Sequence, residues 1–376
     1  RHGFRALLRR GGGGTLRRLN FVKSSNIYCR RTDANDIQMK NLFDYATKEL
    51  SQDAFLRWLF ENYDDAEAGI AASRLLGKLC SFQQGEKIES LETQAQWCRI
   101  DISVWMTTSF GRKIALFIED KTFSDEHSQL TVYDGHIDKI KDREVYKVFY
   151  KTDLLNDEEK GRIAAANANN DVDWVQFGIE DIFSFFSEYK SSDIMILAQY
   201  SQHIEKIYKA VKNTEKPQKS ENIIDLLKWK AYFGNVIIPA LKKSKRSSEF
   251  EAYTWRAGQY PYVVLYIKKA GYGGRKIPYL EIRSRDCQDN KFKAKILCYD
   301  IDIKDIPQQN VLIENIKAIR GLECKYLRKN KNGDENYFPK QVGFSRQDLM
   351  ATTDGEFIAL VEKYIDCYLQ AMKDWK

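Results

Sequence analysis

Lys113-Ile-Ala-Leu-Phe-Ile-Glu-Asp-Lys121 (KIALFIEDK) decides how this chain is read. The apolar run Ile114 to Ile118 is that of a strand buried on both faces. It ends in two acids and a lysine, so charge arrives at one end of a sheet. Just upstream, Ser109-Phe110-Gly111-Arg112 supplies a turn, and Gln96 to Thr107 is rich in β-formers (Trp97, Ile100, Ile102, Val104, Trp105). The two segments make a hairpin. If its turn centres near Phe110, facing residues have numbers summing to about 220, which puts Asp101 opposite Glu119. Glu119 and Lys121 are two apart and share a side, while Asp120 points away and leaves only its backbone carbonyl nearby.

Two carboxylates held close repel unless a cation joins them. Oxygen ligands of this kind suit Mg²⁺ or Mn²⁺, with water and phosphate oxygens completing the octahedron. A lysine beside them can polarise an attacking water or steady charge developing on phosphorus. Those are the parts of metal-assisted phosphodiester hydrolysis. The bland alternative for Asp101, Glu119 and Lys121 is a cross-strand salt-bridge cluster, worth only ~0.2–1 kcal/mol per pair.

Outward from the hairpin, residues 36–60 show helical spacing (Leu42, Phe43, Ala46, Leu50, Phe55, Leu59), and a second helix is expected over 66–82. Lys87 to Thr93 reads as a short strand. Ser124 reads as the N-cap of a helix to about Lys141, with Asp125 and Glu126 in its first turn. Strands are expected at Glu144–Tyr150 and Val172–Ile179, with a polar loop between them, then helices over 180–189 and 193–211. The order implies an α/β core: a mixed central sheet with helices on both faces. Lys212 to Ser220 (KNTEKPQKS) is the best linker. Beyond it come a helix from Asn222 to about Leu241, antiparallel-looking strands at 250–256, 260–268, 277–284 and 292–299, a helical stretch at 313–320, short strands near 324–327 and 337–342, and a last helix from Gly355. This second half is α+β. The expected organisation is a basic segment 1–31, a core domain 32–211, a linker 212–221 and an accessory domain 222–376.

A length of 376 residues suggests two to three domains at about 150 residues each. No apolar run approaches the ~20 residues of a membrane span. Seven cysteines form no CxxC pair, which points to reduced thiols and a cytoplasmic setting, and argues against a disulfide scaffold, zinc ribbon or iron–sulfur cluster. Four dispersed histidines are too few for a His-based metal site. Residues 1–31 hold nine Lys or Arg and no acid, and without them the net charge of +7 becomes −2. The body is therefore near neutral. The segment reads as disordered, with three origins: an artefact of the sequence start, favoured because no initiating Met is present; an Arg-rich transit peptide; or a basic arm along phosphates.

Asp101, followed eighteen residues later by Glu119-Asp120-Lys121 at the ends of paired strands, resembles the PD-(D/E)XK nuclease superfamily, the restriction-endonuclease-like fold. Gln129-Leu130-x-x-Tyr133 is similar to the Q-x-x-x-Y helix motif of the RecB-type branch, and Glu49-Leu50-Ser51 through Trp58-Leu59 resembles the E-x-S-x-x-L-x-W-L helix of bacterial members. The resemblance covers about residues 40–180. The residue before Asp101 is Ile100 rather than proline, and the RecB-type cysteine quartet is missing. The resemblance implies that Asp101 and Glu119 ligate Mg²⁺ (Mn²⁺ substituting) with the Asp120 carbonyl beside them. It implies that Lys121 positions or activates the water, that Gln129 orients the lysine or a phosphate, and that Glu49 is an outer or second-metal carboxylate. Products would carry a 5′-phosphate and a 3′-hydroxyl.

The expected function is therefore a Mg²⁺-dependent nuclease, acting on DNA and as an endonuclease, with bacterial defence or mobile-element roles implied by the family. Nucleic acid is the expected partner, with a homodimer or partner proteins as further possibilities and no membrane. The alternative is a catalytically lapsed nucleic-acid-binding or scaffold protein of the same fold. Tyr133 is read as core or as a phosphate contact, and Lys242, Lys243, Lys245 and Arg246 as a solvated helix end or a phosphate-contact patch. His127 and Glu92 read as surface residues first and as site residues second. Gly271, Gly273 and Gly274 read as a hairpin loop. Trp255, Tyr260, Tyr262, Tyr266, Tyr272 and Tyr279 read as strand packing before base stacking.

Overall fold

The computed structural model describes residues 40–46, 49–124, 129–168, 170–257, 260–268, 279–287, 294–297, 323–326, 341–345 and 353–374, with a few helical residues between 311 and 318. The basic segment 1–31, His127, the glycines at 271–274 and Tyr272 lie outside these residues, as does the side chain of Trp255.

The hairpin is built as its sequence dictates. Strands β1 (Ile88–Trp97), β2 (Ile100–Thr108) and β3 (Lys113–Lys121) run antiparallel, and β3 then pairs in parallel with β4 (Glu144–Lys151), which pairs in parallel with β5 (Trp174–Phe177). The β2–β3 register pairs Ile102 with Ile118 and Val104 with Leu116, the sum expected from a turn at Phe110. Every residue of β3 except Lys113 is buried, because helices cover both faces of this central strand. β1 is longer than expected. It continues to Trp97 and turns tightly into β2 with Gln96, Cys98 and Arg99 at positive φ.

On one face, Ile102, Val104, Ile114, Leu116, Ile118, Val148 and Tyr150 pack under α1 (Glu49–Glu61), α2 (Ala68–Leu79), α5 (Ile179–Phe186) and α6 (Met195–Val211). On the other, Ala115, Phe117 and Phe149 pack under α3 (Leu130–Ile137) and α4 (Asp157–Asn167). The mixed sheet flanked by helices matches the architecture read from sequence. Three local expectations are corrected. The helix placed over 36–60 is interrupted: a 3₁₀ turn at Leu42–Asp44, capped by Asn41, precedes α1. The polar loop after β4 contains α4, started by a reciprocal capping box between Asn156 and Glu159. α3 starts after Gln129 rather than at Ser124.

Residues 222–376 build a six-stranded antiparallel sheet, in spatial order β10-β11-β9-β8-β7-β6. Its strands are β6 (Phe250–Ala257), β7 (Tyr260–Ile267), β8 (Tyr279–Arg283), β9 (Ala294–Leu297), β10 (Glu323–Tyr326) and β11 (Gln341–Ser345). The strands at 250–256, 260–268, 277–284 and 292–299 were legible in outline. The single helix expected from Asn222 is α7 (Ile223–Tyr232), a π turn (Phe233–Ile237) and α8 (Ile238–Lys242) in one continuous run. α7, α8 and α9 (Asp354–Ala371) share a core with this sheet, built on Trp229, Phe233, Phe357, Val361, Tyr364 and Tyr368. Residues Ile223, Ile224 and Leu227 of α7 pack instead into the first core. Between the two cores, Lys230 Nζ meets Asp153 Oδ2 at 2.6 Å, with both side chains buried. Among the described residues no helix is long and apolar enough to cross a membrane.

Candidate functional site

Strand alternation sends the end of β3 in two directions. Glu119 and Lys121 face α3 and α4, and Asp120 faces α1. Across β2, Asp101 follows the last register pair and reaches Glu119's side. Its carboxylate is held from two sides: the Asp120 backbone N–H donates to Oδ2 at 3.0 Å, and Gln96 Nε2 donates to Oδ1 at 3.0 Å. Lys121 Nζ donates to Glu119 Oε1 at 2.5 Å and to the Asp120 carbonyl at 3.2 Å, and lies 3.8 Å from Asp101 Oδ2. The ammonium thus sits among the three oxygen groups that the sequence singled out for a cation.

Burial sets the electrostatics. Glu119 is 1% exposed, and desolvation, with Asp101 adding repulsion, pushes its carboxyl up to about 8 against the pull of Lys121. Its Oε2 has no hydrogen-bond partner among the described residues. Burial alone would depress the Lys121 ammonium, but Glu119, Asp101 and Glu49 outweigh it and hold the amine above its ordinary range. Burial, then the neighbouring Glu119 charge, raises the Tyr133 phenol, so Tyr133 of α3 stands beside the same corner as well as in the core. Gln129 lies one turn before Tyr133, partly exposed at the N-cap of α3.

Sequence reasoning missed the acids beneath the corner. The Asp120 side chain is 0% exposed and accepts from Gln52 Nε2, and the buried Asp53 carboxyl stands beside it from the same helix. Burial first, then Asp101, lifts Asp53 to about 7, and burial first, then Asp53, lifts Asp120 well above the carboxylate range. Two buried carboxyls in contact cannot both ionise, so the pair holds a proton near neutrality. Glu49 is one turn earlier on α1. It accepts a hydrogen bond from Ser124 Oγ. The signal was available: Gln52 and Asp53 follow Glu49 at helical spacing, and an acid inside an apolar strand needs a polar partner.

A second lysine also lay outside the reading. Lys151 is the register partner of Lys121 on β4, and its Nζ donates to Glu159 Oε1 and to the Ser124 carbonyl, each at 2.7 Å. Lys151 and Glu159 are buried. Further along the same face, Lys147, Trp174 and Asn170 all donate to buried Asp134.

No hydrogen bond or ion pair among the described residues joins the basic run 242–246 to Asp101, Glu119 or Lys121. Lys242 ends α8, and Lys243 and Lys245 are exposed just beyond it. Arg246 pairs with Glu249 at 2.8 Å and Asp366 at 2.7 Å, so a phosphate there would compete with two carboxylates. Glu92 is exposed on β1.

Among the described residues no three His, Cys, Asp or Glu side chains form a ready-made metal cluster. What the corner offers is two carboxylates, one of them with its buried oxygen Glu119 Oε2 unpartnered among the described residues, and one backbone carbonyl, a hard-oxygen set suited to a small divalent cation completed by water and phosphate. Residues 40–214 match the family model described as the PD-(D/E)XK nuclease superfamily. No curated protein and no solved structure matches the chain.

Proposed function

With residues 40–214 forming a domain of the PD-(D/E)XK nuclease superfamily, we propose that the protein is a Mg²⁺-dependent endonuclease that hydrolyses the phosphodiester bonds of DNA. The observation that carries this reading is the meeting of Asp101, Glu119 and Lys121 at the end of the central strands, with Lys121 Nζ 2.5 Å from Glu119 and 3.8 Å from Asp101. Asp101, Glu119 and the Asp120 carbonyl would hold the ion, and Mn²⁺ would substitute. When bound, the ion supplies charge stabilisation at phosphorus and a more acidic water.

The chain's own residues do the rest. The Asp120 amide and Gln96 fix the Asp101 carboxylate. Lys121 orients the attacking water and steadies charge on a phosphoryl oxygen. Tyr133 steadies Glu119, Gln129 orients a phosphate, and Glu49 with Asp53 forms the outer acidic shell. The products carry a 5′-phosphate and a 3′-hydroxyl. Residues 32–211 are the catalytic domain, 212–221 the linker and 222–376 an accessory domain for target recognition. The thiols of Cys80 and Cys98 fit a cytoplasmic protein, and a defence role fits the family.

The test incubates the protein with supercoiled and linear DNA, and with RNA, in Mg²⁺ or Mn²⁺. Cleavage of DNA is expected, with Asp101→Ala and Lys121→Ala each slowing it by at least about 10²-fold while circular dichroism stays native. A wild type that cuts nothing in either metal overturns the reading in favour of a lapsed nucleic-acid-binding protein, and a Lys121→Ala variant at full rate overturns the assigned role.

A further inference from the structure

A cleft of about 950 Å³ lies where the loop after β4 and the start of α4 meet α8, β6 and the end of β7. Exposed Lys160, Lys242 and Lys268 line it, and Lys243 and Lys245 stand next to Lys242. Two acids, Asp157 and Glu251, also line it, and Asp157 is 3.4 Å from Lys160. Outside residues 1–31 the chain is net acidic, so this lysine group is a local enrichment and not a general charge effect. Two further features mark the wall. The π turn passes along it through Gly234, and such turns are frequent at functional sites. The Thr254 hydroxyl in the wall is buried and has no partner among the described residues, which leaves a polar group for a ligand oxygen to satisfy.

The cleft lies close to the corner on β3. Lys121 and Lys151 are register partners on adjacent strands, about 4.8 Å apart. The cleft wall starts at Leu154, three residues further on, a span of at most ~11 Å. The wall therefore begins within about 16 Å of Lys121, or roughly five base pairs at about 3.4 Å rise per pair.

We propose that this cleft seats the sugar–phosphate backbone of DNA a few nucleotides from the bond to be cut, with Lys160, Lys242 and Lys268 neutralising phosphates. This rests on the nuclease reading for its partner, but binding is measurable without cleavage. Fluorescence anisotropy of a labelled DNA duplex in EDTA, over a series of salt concentrations, reads both affinity and the number of phosphates neutralised. The triple variant Lys160→Ala, Lys242→Ala, Lys268→Ala is expected to bind at least about tenfold more weakly and to flatten the log–log salt slope by about 2–3, close to 0.9 per lost contact. All three side chains are exposed, so the fold should hold, which a thermal melt verifies. A control triple, Lys113→Ala, Lys139→Ala, Lys141→Ala, on exposed lysines outside the cleft, should leave the slope unchanged.

A cleft triple with the wild-type slope overturns the proposal. So does a mononucleotide that saturates the cleft without displacing duplex. If the wild type binds with the expected slope but never cleaves, the cleft stands and the nuclease reading falls. If it cleaves and the cleft triple binds unchanged, the reverse holds.

Discussion

The Lys230–Asp153 pair should behave as a rivet between the two hydrophobic cores, and its removal can be worked out from its surroundings. The charges meet at 2.6 Å with side-chain exposures of 2% and 0%, so water screens neither. The attraction is offset by the cost of desolvating both ions, so the intact pair contributes little net, but a surviving lone charge has no compensation. Lys230→Met should therefore cost about 3–5 kcal/mol, because Asp153 is left buried and anionic. At about 2–4 °C per kcal/mol for domains of this size, the melting temperature should fall by roughly 6–20 °C. Asp153→Asn should also destabilise, since it removes the carboxylate that meets the buried ammonium, although its side-chain oxygen can still accept from the Leu154 amide that now bonds Asp153 Oδ1 at 2.6 Å. The double variant carries no buried charge and should recover most of the loss. Urea unfolding of all four proteins gives the coupling directly, expected at about 3 kcal/mol or more in favour of the pair. A Lys230→Met cost below about 1 kcal/mol, or a cycle additive within ~0.5 kcal/mol, would refute the reasoning.

Two further outcomes follow from other contacts. His203 is 5% exposed, and burial depresses its imidazole to about 4, against the opposing pull of Asp44 at 3.6 Å; Lys206 on the same acid also favours the neutral ring. The unfolded chain titrates near 6.5 and so binds more protons between pH 4 and 6.5; stability is full above pH 6.5 and falls as pH drops, by up to about 3 kcal/mol, a loss that His203→Gln should remove in matched acid melts. Equal acid sensitivity in the two proteins would count against the buried neutral imidazole. Separately, Gln96→Ala removes a donor from Asp101, a contact worth about 0.5–1.5 kcal/mol; Mn²⁺ affinity measured by calorimetry should weaken about two- to tenfold, and unchanged affinity would show that Gln96 does not position the carboxylate.

The core was legible where period and charge act together. An apolar run that stops at Glu119-Asp120-Lys121 has one sensible place, the end of a central strand, and the turn at Phe110 fixes what lies across from it. Asp53 and Gln52 were not legible because strand alternation says only that Asp120 leaves the corner; which helix covers that face depends on packing far along the chain. Lys151 and Glu159 were missed for a related reason. Their helix, α4, is polar and weakly amphipathic, and it is set by the Asn156–Glu159 cap more than by an apolar stripe. The basic run 242–246 showed its charge, but the acids that occupy Arg246 include Asp366, 120 residues later.

The turn Ser109–Gly111 is remote from any chemistry, yet it sets the phase of the whole device. Thr108 and Arg112 close it by a backbone hydrogen bond of 3.0 Å, and Gly111 takes a φ of +76° that an ordinary residue resists. Every facing pair further up the hairpin inherits its alignment from that closure. One residue added there would slide the strands by a single step and set Asp101 across from a neighbour of Glu119 belonging to the opposite side. Length at this bend is thus quantised: an odd change scrambles the acidic corner some ten residues away unless a bulge absorbs it, while the exposed side chain at Phe110 remains free to vary.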